Sequence, residues 1–163
     1  MFQVGQKVVY GIHGVCCITE LEIKNVDRQK VEYYVLEPAD QLGTRYYVPT
    51  QNPSAVAKLK PLLSRQELDE LLRCSTEAEW ITDENRRRQL YRELICSGNR
   101  AALIAMVRAL HTHKQKQQEQ GRKFHLCDEN FLRDAEKLLS SEFATVLDIQ
   151  PDQVGEYIRN QLS

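Results

Sequence analysis

The spacing of hydrophobic residues changes its period near residue 62. Before that point, short runs rich in β-branched and aromatic residues alternate with segments rich in Gly, Pro and Asn, a pattern typical of strands joined by turns. The runs lie at residues 8–10, 15–23, 31–36 and 46–48. Four or five short strands in so few residues predict a small, strongly bent antiparallel barrel.

After the change, apolar residues recur at helical spacing to the end of the chain. Ser64 and Glu67 form a capping-box pattern, and Asn99 can cap a later helix. Asp128 is predicted to cap another helix, and Pro151 suits the first turn of the last one. These signals predict an all-α region of about five helices.

The sequence therefore predicts an α+β chain of two domains. Residues 1–63 form the barrel, and residues 64–163 form the helical domain. Within the second strand, simple alternation places these residues on one face: Val15, Cys17, Thr19, Leu21 and Ile23.

The composition indicates a soluble globular protein, with 42% apolar and 28% charged residues. No apolar run approaches the roughly 20 residues that span a membrane, and the chain start lacks a secretory signal pattern. The five cysteines show no framework spacing. We therefore expect a cytoplasmic protein with free thiols.

Charge is segregated beside the one tryptophan, Trp80. Residues 86–123 hold ten Lys/Arg against two Asp/Glu, whereas residues 64–85 hold two against seven. A basic block next to a large aromatic side chain is typical of a protein that holds nucleic-acid phosphates and inserts a wedge into a groove. A solvated helix face beside a core tryptophan is the alternative, and composition alone favours it.

Helical geometry narrows the candidates for phosphate contact. Arg88 and Arg92 are four residues apart and share a helix face, a repulsive arrangement that an external phosphate relieves. Arg86 joins them, whereas Arg87 lies on the side of the apolar residues, where its stem can pack. In the alternative interpretation, Glu84 pairs with Arg88 and this face is only solvated.

Motifs for catalysis or metal binding have little support in the sequence. Three short pairs bring His and Cys close together: His13 with Cys16, His111 with His113, and His125 with Cys127. None has the spacing of a four-ligand zinc site, and no phosphate-binding loop or nucleophile elbow is present. We expect no metal, cofactor or catalytic residue, although a Cys/His nucleophile stays open as an alternative.

Two ordered sets of residues resemble the CarD/CdnL family of bacterial transcription regulators. The first set is Phe2, Gly5, Val8-Val9-Tyr10, His13-Gly14-Val15, Glu32-Tyr33-Tyr34-Val35-Leu36 and Tyr46-Tyr47-Val48-Pro49. The second set is Trp80, the arginine cluster, Ser97-Gly98-Asn99, Val107-Arg108-Ala109-Leu110, Glu136-Lys137-Leu138-Leu139 and Glu142-Phe143-Ala144. The first module also occurs in the transcription-repair coupling factor, but no helicase-like segment follows it here, so we expect the small regulator.

The resemblance implies a Tudor/SH3-like barrel that docks on the β subunit of RNA polymerase. It also implies a helical domain that contacts upstream promoter DNA at the edge of the −10 bubble and stabilises the open complex. The docking surface maps to Lys24, Arg45, Tyr46, Tyr47, Val48 and Pro49. The DNA contacts map to Trp80 as the wedge and to Arg86, Arg87, Arg88 and Arg92, with Arg108 and Lys116 as secondary candidates. The expected protein is a monomeric, non-enzymatic regulator whose DNA binding is weak and independent of sequence.

The chain departs from the family pattern in three places. Gly11 stands where Pro is common, and the spacing from Trp80 to Gly98 is longer than in the actinobacterial members. Asp83 and Glu84 place two acids near the expected DNA face. A pure protein-interaction adaptor on RNA polymerase therefore stays open as a second interpretation.

Overall fold

The computed structural model describes residues 2–162, apart from the side chains of Arg159 and Leu162. The chain divides into two compact units, Met1–Leu62 and Leu63–Ser163. The first contains β1 (Lys7–Tyr10), β2 (Val15–Val26), β3 (Gln29–Pro38), β4 (Tyr46–Pro49), α1 (Pro53–Val56) and β5 (Leu59–Pro61). The second contains α2 (Arg65–Arg73), α3 (Glu84–Ser97), α4 (Arg100–Glu119), α5 (Leu126–Leu147) and α6 (Val154–Leu162). The predicted α+β class is confirmed.

The five strands form one antiparallel sheet in the order β4-β3-β2-β1-β5. Its inner face holds an apolar core made of Val8, Cys16, Ile18, Tyr34, Leu36, Val48 and Leu59. Burial raises the pKa of the Cys16 thiol to about 11, so this cysteine behaves as a small apolar residue. Among the described residues β4 pairs only with β3, which makes it an edge strand.

A β-bulge interrupts the alternation of faces along β2. The pairing register with β3 shifts between Ile18 and Glu20, and the extra residue exchanges the two faces of the strand. Cys16 and Ile18 are fully buried before the shift, whereas Leu21 points to that same side after it, opposite Tyr34. The prediction that the odd-numbered residues 15–23 share one face is therefore wrong.

Helices α2 to α6 enclose a second apolar core, to which α4 and α5 contribute most of the buried residues. Ser64 and Glu67 form the predicted capping box, and the Asn99 side chain accepts a hydrogen bond from the Ala102 N–H group. Asp128 is not a cap, because α5 begins two residues earlier at Leu126 and Asp128 is buried within its first turn. Pro151 begins a short 3-10 turn that runs into α6.

No helix within residues 2–162 is long and apolar enough to cross a membrane. Over the same residues, no three His, Cys, Asp or Glu side chains cluster closely enough to hold a metal ion. All five cysteines are free thiols.

Candidate functional site

Trp80 lies at the surface of the helical unit, in a segment without helix or strand between α2 and α3. The imidazole of His113, on α4, stacks on its indole with ring centroids 3.7 Å apart and planes 9° apart. The guanidinium carbon of Arg87 lies 4.6 Å from the centroid of the same ring. Trp80 is partly buried and packs against the edge of the helical core. The ring is thus fixed in place while part of it stays accessible.

Backbone hydrogen bonds hold the segment on both sides of Trp80. The Ala78 N–H group donates to the carbonyl of Ala105 on α4 at 3.2 Å. The Ile81 carbonyl accepts a hydrogen bond from Nη1 of Arg87 at 2.8 Å. A segment without regular secondary structure therefore has a defined path past α4.

An open groove of about 320 Å³ runs beside the indole. One wall is the α4 face that carries Ala109, Thr112, His113 and Lys116, and the other is the segment from Glu77 to Trp80. The Thr112 hydroxyl donates to the Glu77 carboxylate. Lys116, a secondary candidate for phosphate contact, therefore shares this groove with the carboxylates of Glu77 and Glu79.

The structure places Arg87 in the interior, which corrects its prediction as a DNA contact. Its side chain is 4% exposed. Nε and Nη2 donate to the two carboxylate oxygens of Asp128 at 2.9 and 3.0 Å, and Nη1 donates to Ile81. A guanidinium that is buried and occupied in this way is not available to a phosphate, so Arg87 leaves the set of candidate contacts.

The other three arginines of α3 lie at the surface. Arg86 and Arg92 are exposed, and within residues 2–162 neither side chain forms an ion pair. Arg88 is 40% exposed, and its Nη2 donates to Glu84 at 2.7 Å, as the alternative interpretation predicted. Its contact with Cys127, followed by that with Glu84, raises the pKa of Arg88. Because this ion pair is exposed to solvent, it contributes little to stability, and a phosphate can replace the carboxylate.

The two acids that departed from the family pattern serve the start of α3. Asp83 is its N-cap, and the side chain accepts from the backbone N–H groups of Asn85 and Arg86 at 3.0 and 3.3 Å. Glu84 occupies the first turn and pairs with Arg88. Both carboxylates are therefore partly neutralised by local donors.

Arg108 has a local structural partner. Its Nη1 donates to the Ser75 carbonyl at 2.9 Å and to the Ser75 hydroxyl at 3.1 Å, just beyond the end of α2. This occupies one of its two terminal nitrogens, so Arg108 is a weaker candidate for phosphate contact than Arg86 or Arg92.

The surroundings of His113 favour the neutral form of its ring. Burial lowers its pKa, and repulsion from Arg87, Lys116 and His125 adds to the effect, whereas Asp128 opposes it. Nε2 of the neutral ring lies 3.1 Å from the Gln117 amide nitrogen, which can donate to it. Trp80 therefore stacks on a neutral aromatic ring.

On the barrel, the two consecutive tyrosines of β4 point in opposite directions. Tyr47 faces outward and is 38% exposed, and Nζ of Lys24 lies 3.8 Å from the centroid of its ring. Tyr46 faces inward, with ring centroids 5.6 Å from Tyr10 and 4.3 Å from His13. Alternation along the strand does not decide which of the two tyrosines faces outward, and the structure shows that it is Tyr47.

The remaining predicted docking residues also divide into exposed and buried ones. Arg45 is exposed and pairs with Glu37 at 3.3 Å and Glu20 at 3.8 Å. Val48 is 1% exposed and belongs to the barrel core, so its side chain is not available to a partner. Pro49, at the end of β4, is partly buried. Arg45 thus joins Lys24 and Tyr47 as the exposed part of the docking set.

Two contacts of this site were not predicted from the sequence: the stacking of His113 on Trp80 and the ion pair of Asp128 with Arg87. Asp128 lies 41 positions from Arg87, and no short-range pattern connects the two. From the sequence, His113 is a candidate only for metal binding, in the pair with His111. The available signal was its spacing on the helix. His113 lies four residues after Ala109 and three before Lys116, so the three residues share one helix face.

Two family models match the chain in order. The CarD-like/TRCF RID domain matches residues 2–60, and the CarD C-terminal domain matches residues 68–159, more than half of the chain. No curated protein is similar enough to count as a match. Since both halves match and the folds of both units agree with the resemblance, this chain belongs to the CarD family of non-enzymatic transcription regulators, which act by binding RNA polymerase.

Proposed function

We propose that this protein docks on the β subunit of RNA polymerase and contacts upstream promoter DNA at the edge of the −10 bubble. It acts as a monomer in the bacterial cytoplasm, and its effect is to stabilise the open complex. Trp80 is the wedge at the junction of duplex and melted DNA. Arg86, Arg88 and Arg92 hold the phosphates nearby.

The observation that carries this proposal is the fixed, partly exposed position of Trp80. The indole is stacked on His113 and is followed within six residues by the first of three surface arginines. Because the ring is already immobilised, its insertion costs little additional side-chain entropy. Unstacking a base step costs a few kcal/mol, which a preformed aromatic contact can offset.

Docking supplies the second half of the mechanism. β4 is an edge strand, and a partner strand can pair with such an edge through backbone hydrogen bonds. Lys24, Arg45 and Tyr47 then provide side-chain contacts next to it. Tethering to polymerase raises the effective concentration of the helical domain at the promoter to about the mM range. A small basic surface is then sufficient, even though the net charge of the chain is −1.

The test is Trp80→Ala in a reconstituted transcription system. We expect unchanged affinity for polymerase and an open-complex lifetime shortened by roughly tenfold, the effect of losing about 1.4 kcal/mol at one aromatic contact. The matched control is Arg45→Glu, which is expected to weaken polymerase binding instead. An unchanged lifetime for Trp80→Ala at saturating protein would contradict the wedge.

One observation favours an adaptor role as a second candidate. The groove beside Trp80 carries the carboxylates of Glu77 and Glu79, which repel phosphate and suit a basic segment of another protein. If the adaptor role is correct, Glu77→Gln will weaken capture of that protein. If the DNA role is correct, the same change will strengthen promoter binding, because it removes a repulsive charge.

A further inference from the structure

Arg87 and Asp128 form an ion pair inside the helical domain. Their residues are 4% and 1% exposed, and both carboxylate oxygens of Asp128 are bonded to the same guanidinium. We propose that this pair is a positioning device for Trp80: Asp128 orients the Arg87 guanidinium, and the guanidinium sets the place and tilt of the indole. The functional consequence rests on the wedge role of Trp80 proposed above.

The Arg87 guanidinium connects three groups of the domain. Arg87 projects from α3, reaches Asp128 on α5, donates to the Ile81 carbonyl and lies over the Trp80 ring. Ile81 directly follows Trp80 in the chain. Arg87 therefore holds both the backbone next to the tryptophan and its aromatic ring.

Two buried charges lose several kcal/mol of hydration, and their replacement by well-packed apolar residues is often neutral or stabilising. Stability alone is therefore a weak reason for the pair. A planar fork can meet a carboxylate with two nitrogens, donate to a carbonyl with the third and stack on an aromatic ring, which an ammonium group cannot do.

A second ion pair in the same domain provides a comparison. Arg100 and Glu142 form another bidentate pair, with distances of 2.6 and 2.7 Å, and Glu142 is 3% exposed. Glu142 also accepts from the backbone N–H group of Leu63 at 3.0 Å. The two pairs share their chemistry, but one holds the start of the domain and the other holds the Trp80 segment.

The test uses Trp80 as its own reporter, because it is the only tryptophan of the chain. Arg87→Lys keeps the charge but loses the fork, and Arg100→Lys makes the same change in the other pair. We expect acrylamide to quench the Trp80 fluorescence of free Arg87→Lys more strongly than that of the wild type, with a shifted emission maximum. Arg100→Lys should leave both unchanged even though it loses stability.

Asp128→Asn provides a second way to release the guanidinium. It should reproduce the change in quenching, since it leaves Arg87 without its orienting carboxylate. It also replaces Arg87→Lys in the comparison if circular dichroism shows that Arg87→Lys does not fold. Quenching equal to that of the wild type in a folded variant would overturn the proposal.

The functional readout is the open-complex lifetime at saturating protein. We expect Arg87→Lys to shorten it by roughly fivefold, within the usual range for a single substitution. In a Trp80→Ala background the same substitution should have no further effect, because a positioning residue acts only through the group that it positions. Equal shortening in both backgrounds would mean that Arg87 acts independently of Trp80.

Failure of the wedge role gives a different pattern. If Trp80→Ala leaves the lifetime unchanged, the proposed function is wrong, whatever Arg87 does. The quenching measurement on free protein still decides whether Arg87 and Asp128 position the indole.

Discussion

The two tyrosines of β4 allow one substitution to be tested in two opposite environments. Tyr46→Ala and Tyr47→Ala remove the same side chain from adjacent positions of an edge strand. The first removes an inward contact with Tyr10 and His13, and the second removes an outward ring beneath Lys24. We expect the first variant to lose mainly stability and the second to lose mainly polymerase binding.

The magnitudes follow from burial and contacts. Fully buried aromatic residues cost about 3–5 kcal/mol when replaced by Ala, so the partly buried Tyr46 should cost about 2–3 kcal/mol of barrel stability. Tyr47 has an exposed cation–π contact, worth about 0.5–1 kcal/mol, and an edge contact with Tyr33, worth about 0.2–1 kcal/mol. Its removal should therefore cost less than about 2 kcal/mol of stability. A tyrosine at the centre of an interface contributes about 2 kcal/mol, which corresponds to roughly 30-fold in affinity.

Amide hydrogen exchange within β2 and β3 measures the stability of the barrel separately from that of the helical domain. Affinity for polymerase core enzyme is measured by biolayer interferometry. The expected result is faster exchange for Tyr46→Ala, and weaker binding with nearly unchanged exchange for Tyr47→Ala. Weaker binding by a folded Tyr46→Ala variant, together with unchanged binding by Tyr47→Ala, would refute the assignment of faces.

Further predictions concern the helical domain. Glu142→Gln should lower the free energy of unfolding by about 3 kcal/mol, because it leaves a largely buried Arg100 without its charged partner. Glu129→Gln, in the exposed pair with Lys114, should cost less than about 1 kcal/mol in the same urea titration, and equal losses would contradict this ranking. Since the pKa of His113 is lowered below its ordinary 6.5, its contribution to stability is intact above that pH and is lost as the pH falls below it. His113→Gln should flatten this part of the stability profile, and an unchanged profile would count against a ring that the fold holds in its neutral form. Free protein should bind duplex DNA weakly in fluorescence anisotropy, with an affinity that falls as salt is added, and tight salt-independent binding would exclude phosphate contact.

Local signals in the sequence account for much of the fold. The change in hydrophobic period separates the strands from the helices, and Ser64, Glu67 and Asn99 cap the helices that they were predicted to cap. These features depend on neighbours within a few residues. The prediction that Asp128 caps a helix was wrong. Its residue type suits a cap, but its partner, Arg87, is on another helix.

The features that sequence reasoning could not supply depend on distant contacts or on register. The bulge after Ile18 changes which residues face the barrel core, and no Gly or Pro marks it. Arg87 is one of three consecutive arginines, and only the carboxylate of Asp128 distinguishes it from its neighbours. The orientation of Tyr47 likewise requires the pairing of β4 with β3.

The proposed function requires the surface around Trp80 to touch promoter DNA. Site-specific photocrosslinking detects this contact directly. A photoreactive amino acid replaces Trp80, Arg86 or Arg92, one at a time, and Lys137 provides a control position that is exposed on α5. The variants are assembled with polymerase holoenzyme on a promoter in the open state. We predict crosslinks to upstream DNA beside the −10 element from the first three positions and none from Lys137. Crosslinks from positions 80, 86 and 92 to protein alone would contradict the claim and would favour the adaptor.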